Sequence, residues 1–445
     1  MLVVAAAAAV VTGMRESAPS AVAASELATP VWSVRRVPGL VVDPINRDRE
    51  ADTAAELQSR LAAEAARFGN ACFEVRRGSA IIAAGSADAA LIPASTQKLL
   101  VAAASLAVLG PDFRFATRAV ADGGGSAPDR VWVVGAGDPV MRSTDLVDDG
   151  VSTPVDALAD AIVASGVRRI GTLVADDSRY DRRRDVPTWK PSYREDLDVG
   201  PVGALVVDQG VTSASGRPEL VADPELHFVA TLADALRARG VEVGAVDRGV
   251  APSDAPPVGT VESQPLRTIL GFVLAVSDNG AAEMLTKELG VRVRQDGSTV
   301  AGTAAVRDTL GRLGVDLADA TMVDGSGLDR GNRLTCGDLV AVLALADRPD
   351  LAVLRDLLPG DLRVDGDGTV RGKSGYLDDV TGLAGTVRPT GLTFAVLLNG
   401  GVPSPARNAV TEIRRFADLL GAYRPPAPAP DATVPEPDAV IGSAR

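Results

Sequence analysis

The sequence predicts an α+β protein in which helices flank one antiparallel sheet and a large region is inserted between the two parts of the chain that build this sheet. Three observations lead to this prediction. Helix-like and strand-like segments lie near both ends of the chain, and the centre holds short apolar strands separated by turns. The 445 residues, 46% of them hydrophobic, are enough to bury more than one core.

The first part of the chain begins with a helix and a hairpin. Residues 51–68 have helical spacing, and residues 71–84 predict two strands joined by a turn. Ser95 then precedes an Ala- and Leu-rich run over residues 98–109, which stops at Gly110. Because this run is apolar on every side, it predicts a buried helix with Ser95 at its amino-terminal end.

The last part of the chain supplies further strands and helices. Residues 265–276 and 281–287 predict two helices joined by a short loop. Residues 381–387 and 392–398 alternate as strands, and residues 406–420 predict a closing helix. Strands from both ends of the chain are therefore expected to share one antiparallel sheet, with the Ser95 helix packed behind it.

Composition along the chain divides it into four parts. The middle contains short strands such as residues 130–135 and 171–175, unlike the helix-rich ends. Beyond the last helix the chain is rich in proline and acidic residues, which predicts disorder. The predicted parts are a signal peptide at 1–24, a discontinuous catalytic domain at 25–111 and 259–423, an inserted accessory region of one or two small domains at 112–258, and a disordered tail at 424–445.

The amino-terminal segment indicates an exported protein. Residues 1–11 are almost wholly apolar, and residues 20–24 have the small-x-small form of a signal-peptide cleavage site. The alternative is a short buried segment, since a basic stretch before the apolar run is missing. We expect an extracytoplasmic location, in the cell wall or a periplasm-like space. In such a compartment cysteines oxidise, so the two cysteines, Cys72 and Cys336, are predicted to form a disulfide.

Composition also excludes several classes of function. A net charge of −13 and 3% aromatic residues argue against nucleic-acid binding. The single histidine, His227, lies far from any serine or cysteine motif, which argues against a Ser-His-Asp triad and a His-rich zinc site. Asp176 and Asp177 resemble a metal pair, but neighbouring side chains on a strand face opposite ways, so no metal is predicted. No glycine-rich phosphate loop precedes a helix, and no cofactor is predicted.

The first chemical motif is Ser95-Thr96-Gln97-Lys98. Lys98 lies three residues after Ser95 and therefore projects from the same side of a helix. A nucleophilic hydroxyl and an amine that takes its proton need this proximity. A serine cap beside a solvated lysine is the alternative, but a lysine on a buried helix needs a specific reason.

Two further motifs follow. Ser277-Asp278-Asn279 joins two predicted helices, so that Ser277 and Asn279, two residues apart, can point into one cleft. Lys373-Ser374-Gly375 precedes the carboxy-terminal strands, where an edge strand can flank that cleft and the glycine lets a substrate strand approach. Two nearby features are interpreted as structural. Glu283 is expected to stabilise its helix or anchor the loop, and residues 324–333 to form a loop held by Arg330 and Arg333.

The three motifs in this order resemble those of the D-alanyl-D-alanine carboxypeptidase/endopeptidase family, the low-molecular-mass class C penicillin-binding proteins. The resemblance covers most of the exported part of the chain. It includes Gly135-Ala136-Gly137-Asp138-Pro139, residues 176–180 and residues 324–333, and the long separation of Lys98 from Ser277. One departure is Ser374, where the family usually has threonine; either hydroxyl binds a carboxylate.

The resemblance implies a penicillin-binding, β-lactamase-like transpeptidase fold and a serine-type D-Ala-D-Ala carboxypeptidase, with endopeptidase action on crosslinked peptides also open. It implies that Ser95 attacks peptidoglycan stem peptides and is acylated by β-lactam antibiotics. Lys98 is then the general base, with a pKa lowered by burial and by the charge of Lys373. The remaining roles are a proton relay through Ser277, Asn279 and Lys373, and substrate contacts from Asp278, Ser374, Gly375 and Tyr376, with an oxyanion hole made by the N–H groups of Ser95 and Tyr376.

Two alternatives remain at this point. A serine β-lactamase would use the same nucleophile, but the long insert argues against it. A catalytically inert wall-binding protein would have no physical need for Ser95, Lys98 and Lys373 together.

Overall fold

The computed structural model describes residues 43–143, 150–212, 216–360, 369–402 and 406–425. Its helices are α1 Asp43–Ala65, α2 Lys98–Leu109, α3 Val155–Ala164, α4 Ser192–Glu195, α5 Pro224–Ala238, α6 Leu266–Val276, α7 Asn279–Arg294, α8 Thr299–Arg312, α9 Cys336–Ala344, α10 Val353–Leu357 and α11 Ala406–Ala422. Its strands are β1 Asn70–Arg77, β2 Ala80–Gly85, β3 Ala116–Ala121, β4 Arg130–Val134, β5 Met141–Arg142, β6 Thr153–Pro154, β7 Arg169–Asp176, β8 Val211–Thr212, β9 Glu219–Leu220, β10 Glu242–Arg248, β11 Pro257–Glu262, β12 Val370–Leu377, β13 Val380–Val387 and β14 Leu392–Asn399.

Two predictions concern residues outside this description. They are the signal peptide at 1–24 and nearly all of the disordered tail at 424–445. Among the described helices, none combines the length and the apolar character that crossing a bilayer requires.

The first sheet unites strands from both ends of the chain. Its order is β12-β13-β14-β1-β2, and every neighbouring pair is antiparallel. β1 pairs with β14 along its whole length, with Asn70 opposite Asn399 and Arg77 opposite Leu392. The predicted α+β fold with one antiparallel sheet shared by both ends of the chain is therefore confirmed.

Helices cover both faces of this sheet. On one face α1 and α11 pack on apolar side chains that include Phe73, Phe394 and Val396. On the other face lies a bundle built from α2, α6, α7, α8 and α9. Because α2 contacts each of these other helices, its residues from Lys98 to Leu106 are all buried. This confirms the buried helix that the uniformly apolar run predicts.

A disulfide joins the first sheet to the helical bundle. Cys72 on β1 and Cys336, the first residue of α9, are bonded with a Cα–Cα distance of 5.9 Å. Both cysteines are fully buried in the bundle core. The bond links residues 264 positions apart and so closes a very long loop.

The inserted region contains a second sheet of order β10-β7-β4-β3-β11. β10, β7 and β4 run parallel, and β3 and β11 are antiparallel to their neighbours. The parallel pairs follow from the helix crossovers α3 and α5, which pack together on one face of the sheet. β11, which spans Pro257–Glu262, crosses the predicted boundary at 258 and pairs with β3 in the second sheet.

Candidate active site

Ser95 lies in a single 3₁₀ turn, Ala94–Gln97, directly before α2. Ala94 has a φ of 48°, in the left-handed region that residues with a Cβ rarely adopt. The turn is held by its neighbours. Thr96 Oγ1 donates to Pro93 O at 2.7 Å, and Gln97 Nε2 donates to Asp324 O at 2.5 Å. The hydroxyl of Ser95 therefore stands on a constrained backbone at the amino-terminal end of a buried helix.

Lys98 makes hydrogen bonds to three residues of the site. Its Nζ donates to Ser95 Oγ at 2.9 Å, to Asn279 Oδ1 at 2.7 Å and to Ser326 O at 2.7 Å. The side chain is 1% exposed. Burial lowers the pKa of Lys98 to about 8, while the charges of Asp324, Glu283 and Asp278 act in the opposite direction. Burial thus accounts for the lowered pKa, and the influence of Lys373 on Lys98 stays a prediction.

The second motif forms the junction between α6 and α7. Ser277 caps α6 in the left-handed conformation, with φ 62° and ψ 38°, and Asn279 begins α7. This sharp turn brings Asn279 beside Lys98. The Asn279 side chain has a second partner, since its Nδ2 donates to Asp198 O of the inserted region at 2.8 Å. The insert thus fixes the amide so that its oxygen faces the amine of Lys98.

Asp278 has a different role from the one the sequence suggests. Its side chain caps α7 by accepting from Ala281 N at 2.9 Å, and it accepts from Gln209 Nε2 of the insert. Gln209 and its neighbour Asp208 both have positive φ, at 57° and 52°. Asp278 is buried and does not line the cleft. The prediction of a substrate contact at Asp278 is therefore corrected to a contact that joins the second motif to the insert.

The third motif lies on β12, an edge strand of the first sheet. Lys373 is 3% exposed, and its Nζ donates to Ser374 O at 2.8 Å. Gly375 lines the cleft, and its lack of a side chain also matters inside the protein. A Cβ at Gly375 would lie 2.8 Å from Ser95 N and 3.0 Å from Pro93 O. A glycine is needed at this position because β12 presses against the serine turn.

The three motifs line one cleft of about 450 Å³. Ser95, Ser277, Asn279 and the stretch from Lys373 to Asp378 all contribute to its walls. Tyr193 and Asp198 of the insert and Leu328 of the loop at residues 324–333 complete the lining near the motifs. The structure therefore brings together all of the predicted site residues except Asp278 and the two cysteines.

The loop at residues 324–333 is organised by Asp324 rather than by the arginines named above. The Asp324 carboxylate is fully buried and accepts from Trp189 Nε1 at 2.8 Å, Asp329 N at 2.7 Å and Asn332 Nδ2 at 2.8 Å. Arg330 donates to Asp378 O, just after β12, and Arg333 donates to Arg330 O within the loop. This arrangement places Ser326 O in front of Lys98.

Glu283 anchors the same loop, as the sequence predicts. Its Oε1 accepts from Gly325 N at 2.9 Å and Ser326 N at 2.7 Å. Burial, together with the charge of Asp324, raises the pKa of Glu283 to about 8. Glu283 therefore fixes the peptide whose carbonyl accepts from Lys98. The carboxyl of Glu283 changes its charge in the same pH range as the amine of Lys98.

Sequence reasoning missed the contributions of Asp198, Asp324 and Ser326. Asp198 and Ser326 act through their backbone carbonyls, and no pattern of residue types reveals such a contact. Asp176 and Asp177, considered above as a metal pair, have other partners. Asp176 accepts from Ser178 N at 3.1 Å and Ala251 N at 2.8 Å, and Asp177 pairs with Arg184.

Comparison with known proteins gives consistent matches. The model of the "D-Ala-D-Ala carboxypeptidase 3 (S13) family" matches residues 53–220 and 218–420. A carboxypeptidase of Mycobacterium tuberculosis is 33% identical over 349 residues, covering 73% of this chain and 74% of the relative. The D-alanyl-D-alanine carboxypeptidase of Actinomadura sp. strain R39 is 31% identical over 433 residues, covering 75% of this chain and 78% of the relative.

Solved structures show the same fold. The crystal structure of penicillin binding protein 4 from Haemophilus influenzae superposes with a TM-score of 0.69 at 20% identity, covering 83% of this chain and 99% of that chain.

Proposed function

Because the chain belongs to the D-Ala-D-Ala carboxypeptidase 3 (S13) family, we propose that Ser95 is the nucleophile of its reaction. The protein is a serine-type D-alanyl-D-alanine carboxypeptidase. The proposed reaction begins when Ser95 Oγ attacks the carbonyl carbon between the two D-alanines of a stem peptide. The C–N bond breaks, D-alanine leaves with a proton on its amine, and water then hydrolyses the ester on Ser95.

The observation that carries this proposal is the set of partners of Lys98. A neutral amine has two N–H donors and one lone pair. Asn279 Oδ1 and Ser326 O can only accept, so they take both donors of the neutral form. The lone pair is then directed at Ser95 Oγ, which lies 2.9 Å away. The neutral form of Lys98 is thereby oriented to receive the hydroxyl proton of Ser95.

The other two motifs are proposed to protonate the leaving group and to bind the substrate carboxylate. In our proposal Ser277 passes a proton to the departing amine, with Asn279 and Lys373 beside it in the same cleft. Lys373 and Ser374 then hold the terminal carboxylate of the substrate, because an ammonium and a hydroxyl both donate to a carboxylate.

The edge strand β12 suits both an extended substrate and an oxyanion. Gly372 N donates outward to Pro359 O, away from β13. Since backbone groups alternate along a strand, Tyr376 N also points away from β13. The closeness of β12 to Ser95 N supports an oxyanion hole formed by Ser95 N–H and Tyr376 N–H. Each donor of this kind contributes on the order of 3 kcal/mol to transition-state stabilisation.

A peptidoglycan substrate has consequences for the other ligands of Ser95 and for the location of the enzyme. We propose that crosslinked peptides ending in a D-amino-acid bond are cut at the same serine and that β-lactams acylate it. A peptidoglycan substrate requires an extracytoplasmic enzyme, in agreement with the apolar segment and small-x-small site near the amino terminus.

The test is mass spectrometry of the intact protein after incubation with benzylpenicillin, followed by peptide mapping. The wild-type protein is expected to gain one stable adduct on Ser95, and Ser95→Ala to gain none and release no D-alanine from a D-Ala-D-Ala peptide. Ser178→Ala, which removes an exposed serine outside the cleft, serves as the matched control and should behave as wild type. An adduct on Ser95→Ala would refute the assignment. Rapid loss of the wild-type adduct would indicate a β-lactamase.

The pH dependence of acylation follows from Lys98. Below its pKa of about 8 the amine is mostly protonated and cannot accept the serine proton, so the acylation rate should rise with pH, reach half its maximum near pH 8 and level off above about pH 9. Glu283 itself has a pKa of about 8 and is largely neutral below that pH, so Glu283→Gln should move the rise to lower pH only slightly. Stopped-flow measurement of penicillin acylation between pH 6 and about 9.5 tests both expectations. A profile that does not change over this interval would exclude Lys98 as the base.

A further inference from the structure

We propose a second binding site, for a phosphate group, at the junction between the catalytic domain and the insert. The site is a cavity of about 260 Å³ whose lining includes four arginines, Arg114, Arg118, Arg179 and Arg292, and which we call the arginine cavity. No Asp or Glu contributes to its lining in the described part of the chain. It shares no lining residue with the catalytic cleft.

The charges around the arginine cavity do not cancel. Glu288, fully buried, accepts from Arg179 and from Arg292 Nε at 2.7 Å, so one carboxylate serves two guanidinium groups. Arg114 donates to a neutral acceptor, Ser263 O, at 2.6 Å. Arg118 projects from β3 and is exposed. Positive charge therefore exceeds negative charge here, in a protein whose net charge is −13.

A further carboxylate, Glu262, does not alter this conclusion. Glu262 on β11 lies opposite Ala116 of β3 and so faces the same side of the sheet. It is exposed and is not part of the cavity lining. Even when Glu262 is counted with Glu288, four guanidinium groups face two carboxylates.

Two of the four guanidinium groups are already held in place. Arg179 binds Glu288 through Nε and Nη2, at 2.8 and 2.6 Å. The guanidinium of Arg292 lies 5.0 Å from the ring centre of Phe113, which itself packs edge-on against Phe115 at 5.0 Å. A ligand would therefore meet ordered donors and pay less conformational entropy on binding.

A phosphate group matches these features. Its oxygens accept from several guanidinium groups at once, and arginine is the preferred residue for planar two-point contacts to phosphate. The cavity is large enough for a phosphate and part of its ester substituent, which would lie against Phe113 and Phe115. The same chemistry occurs in small phosphates and in the phosphodiester chain of an anionic polymer, and the probes below distinguish these sources.

The test is isothermal titration calorimetry on the full chain at low ionic strength, with inorganic phosphate, a glycerol-phosphate oligomer and acetate as separate probes. We expect the wild-type protein to bind phosphate and the oligomer, and Arg114→Gln/Arg118→Gln to bind both at least about tenfold more weakly. These two arginines are chosen because neither binds Glu288, so the fold should survive. Arg130→Gln, an exposed arginine at the far end of β4, is the matched control and should retain binding.

The relative affinities for the oligomer and for inorganic phosphate identify the kind of ligand. Tighter binding of the oligomer assigns the site to a polymer, and tighter binding of inorganic phosphate assigns it to a small phosphate. Absence of binding to wild type, unchanged binding by the double variant, or equal binding of acetate would each overturn the proposal. Penicillin acylation of Ser95 is measured in every variant and should not change, so failure here is distinguishable from failure of the proposed catalytic mechanism.

Discussion

Replacing Lys98 by methionine is expected to slow acylation of Ser95 by benzylpenicillin by roughly a thousandfold, and D-alanine release by a similar factor. Methionine has about the same length but cannot accept a proton. It also removes the hydrogen bonds that Lys98 Nζ donates to Asn279 Oδ1 and Ser326 O. The second-order acylation rate, measured by stopped flow, is the readout.

Two comparisons make the Lys98 result interpretable. Lys190→Met removes a half-exposed lysine whose Nζ pairs with Asp378 at 3.0 Å, and it should leave acylation within a few-fold of wild type. Thermal unfolding of each variant checks the fold, because Lys98 lies near the buried carboxylates of Asp324 and Glu283. If Lys98→Met kept near-normal acylation while Lys373→Met abolished it, the proposed roles of the two lysines would be reversed.

Removal of the disulfide is expected to cause the largest loss of stability. The double variant Cys72→Ala/Cys336→Ala opens a loop that spans 264 residues, and the unfolded chain then gains entropy that the bond had removed. For a loop of this length the chain-entropy relation gives a loss in the free energy of unfolding of about 5.5 kcal/mol. In a chain of this size we expect Tm to fall by roughly 5–10 °C, measured by circular dichroism.

Reduction supplies the matching control. Dithiothreitol should lower the Tm of the wild-type protein by a comparable amount and leave that of the double variant unchanged. Two free thiols in unreduced, denatured wild-type protein would show that Cys72 and Cys336 are not paired.

Much of the fold could be predicted because it depends on local patterns. The uniformly apolar run after Ser95 and the alternating strands near both ends of the chain are local patterns that do not depend on distant residues. The family resemblance read from the three motifs is likewise confirmed by the family match and by relatives of 33% and 31% identity. The boundary of the insert was less predictable, because β11 joins the second sheet only through its pairing with β3.

The candidate site was only partly predictable. Ser95 and Lys98 lie one turn apart, so their contact follows from helix geometry alone. The roles of Asp278 and Gly375 did not follow, because both depend on partners from distant segments. Gln209 belongs to the insert, and the Ser95 turn and β12 are far apart in the chain although they touch in the fold.

By itself the sequence determined which chemical groups this enzyme carries, the order in which they occur, and the short-range geometry of the hydroxyl and the amine. Only the tertiary structure decided what surrounds that amine. Burial in the bundle lowers the pKa of Lys98, while Asp324 and Glu283 raise it. These opposing effects come from segments far apart in the chain, and desolvation and charge depend on distances in space that no local pattern contains.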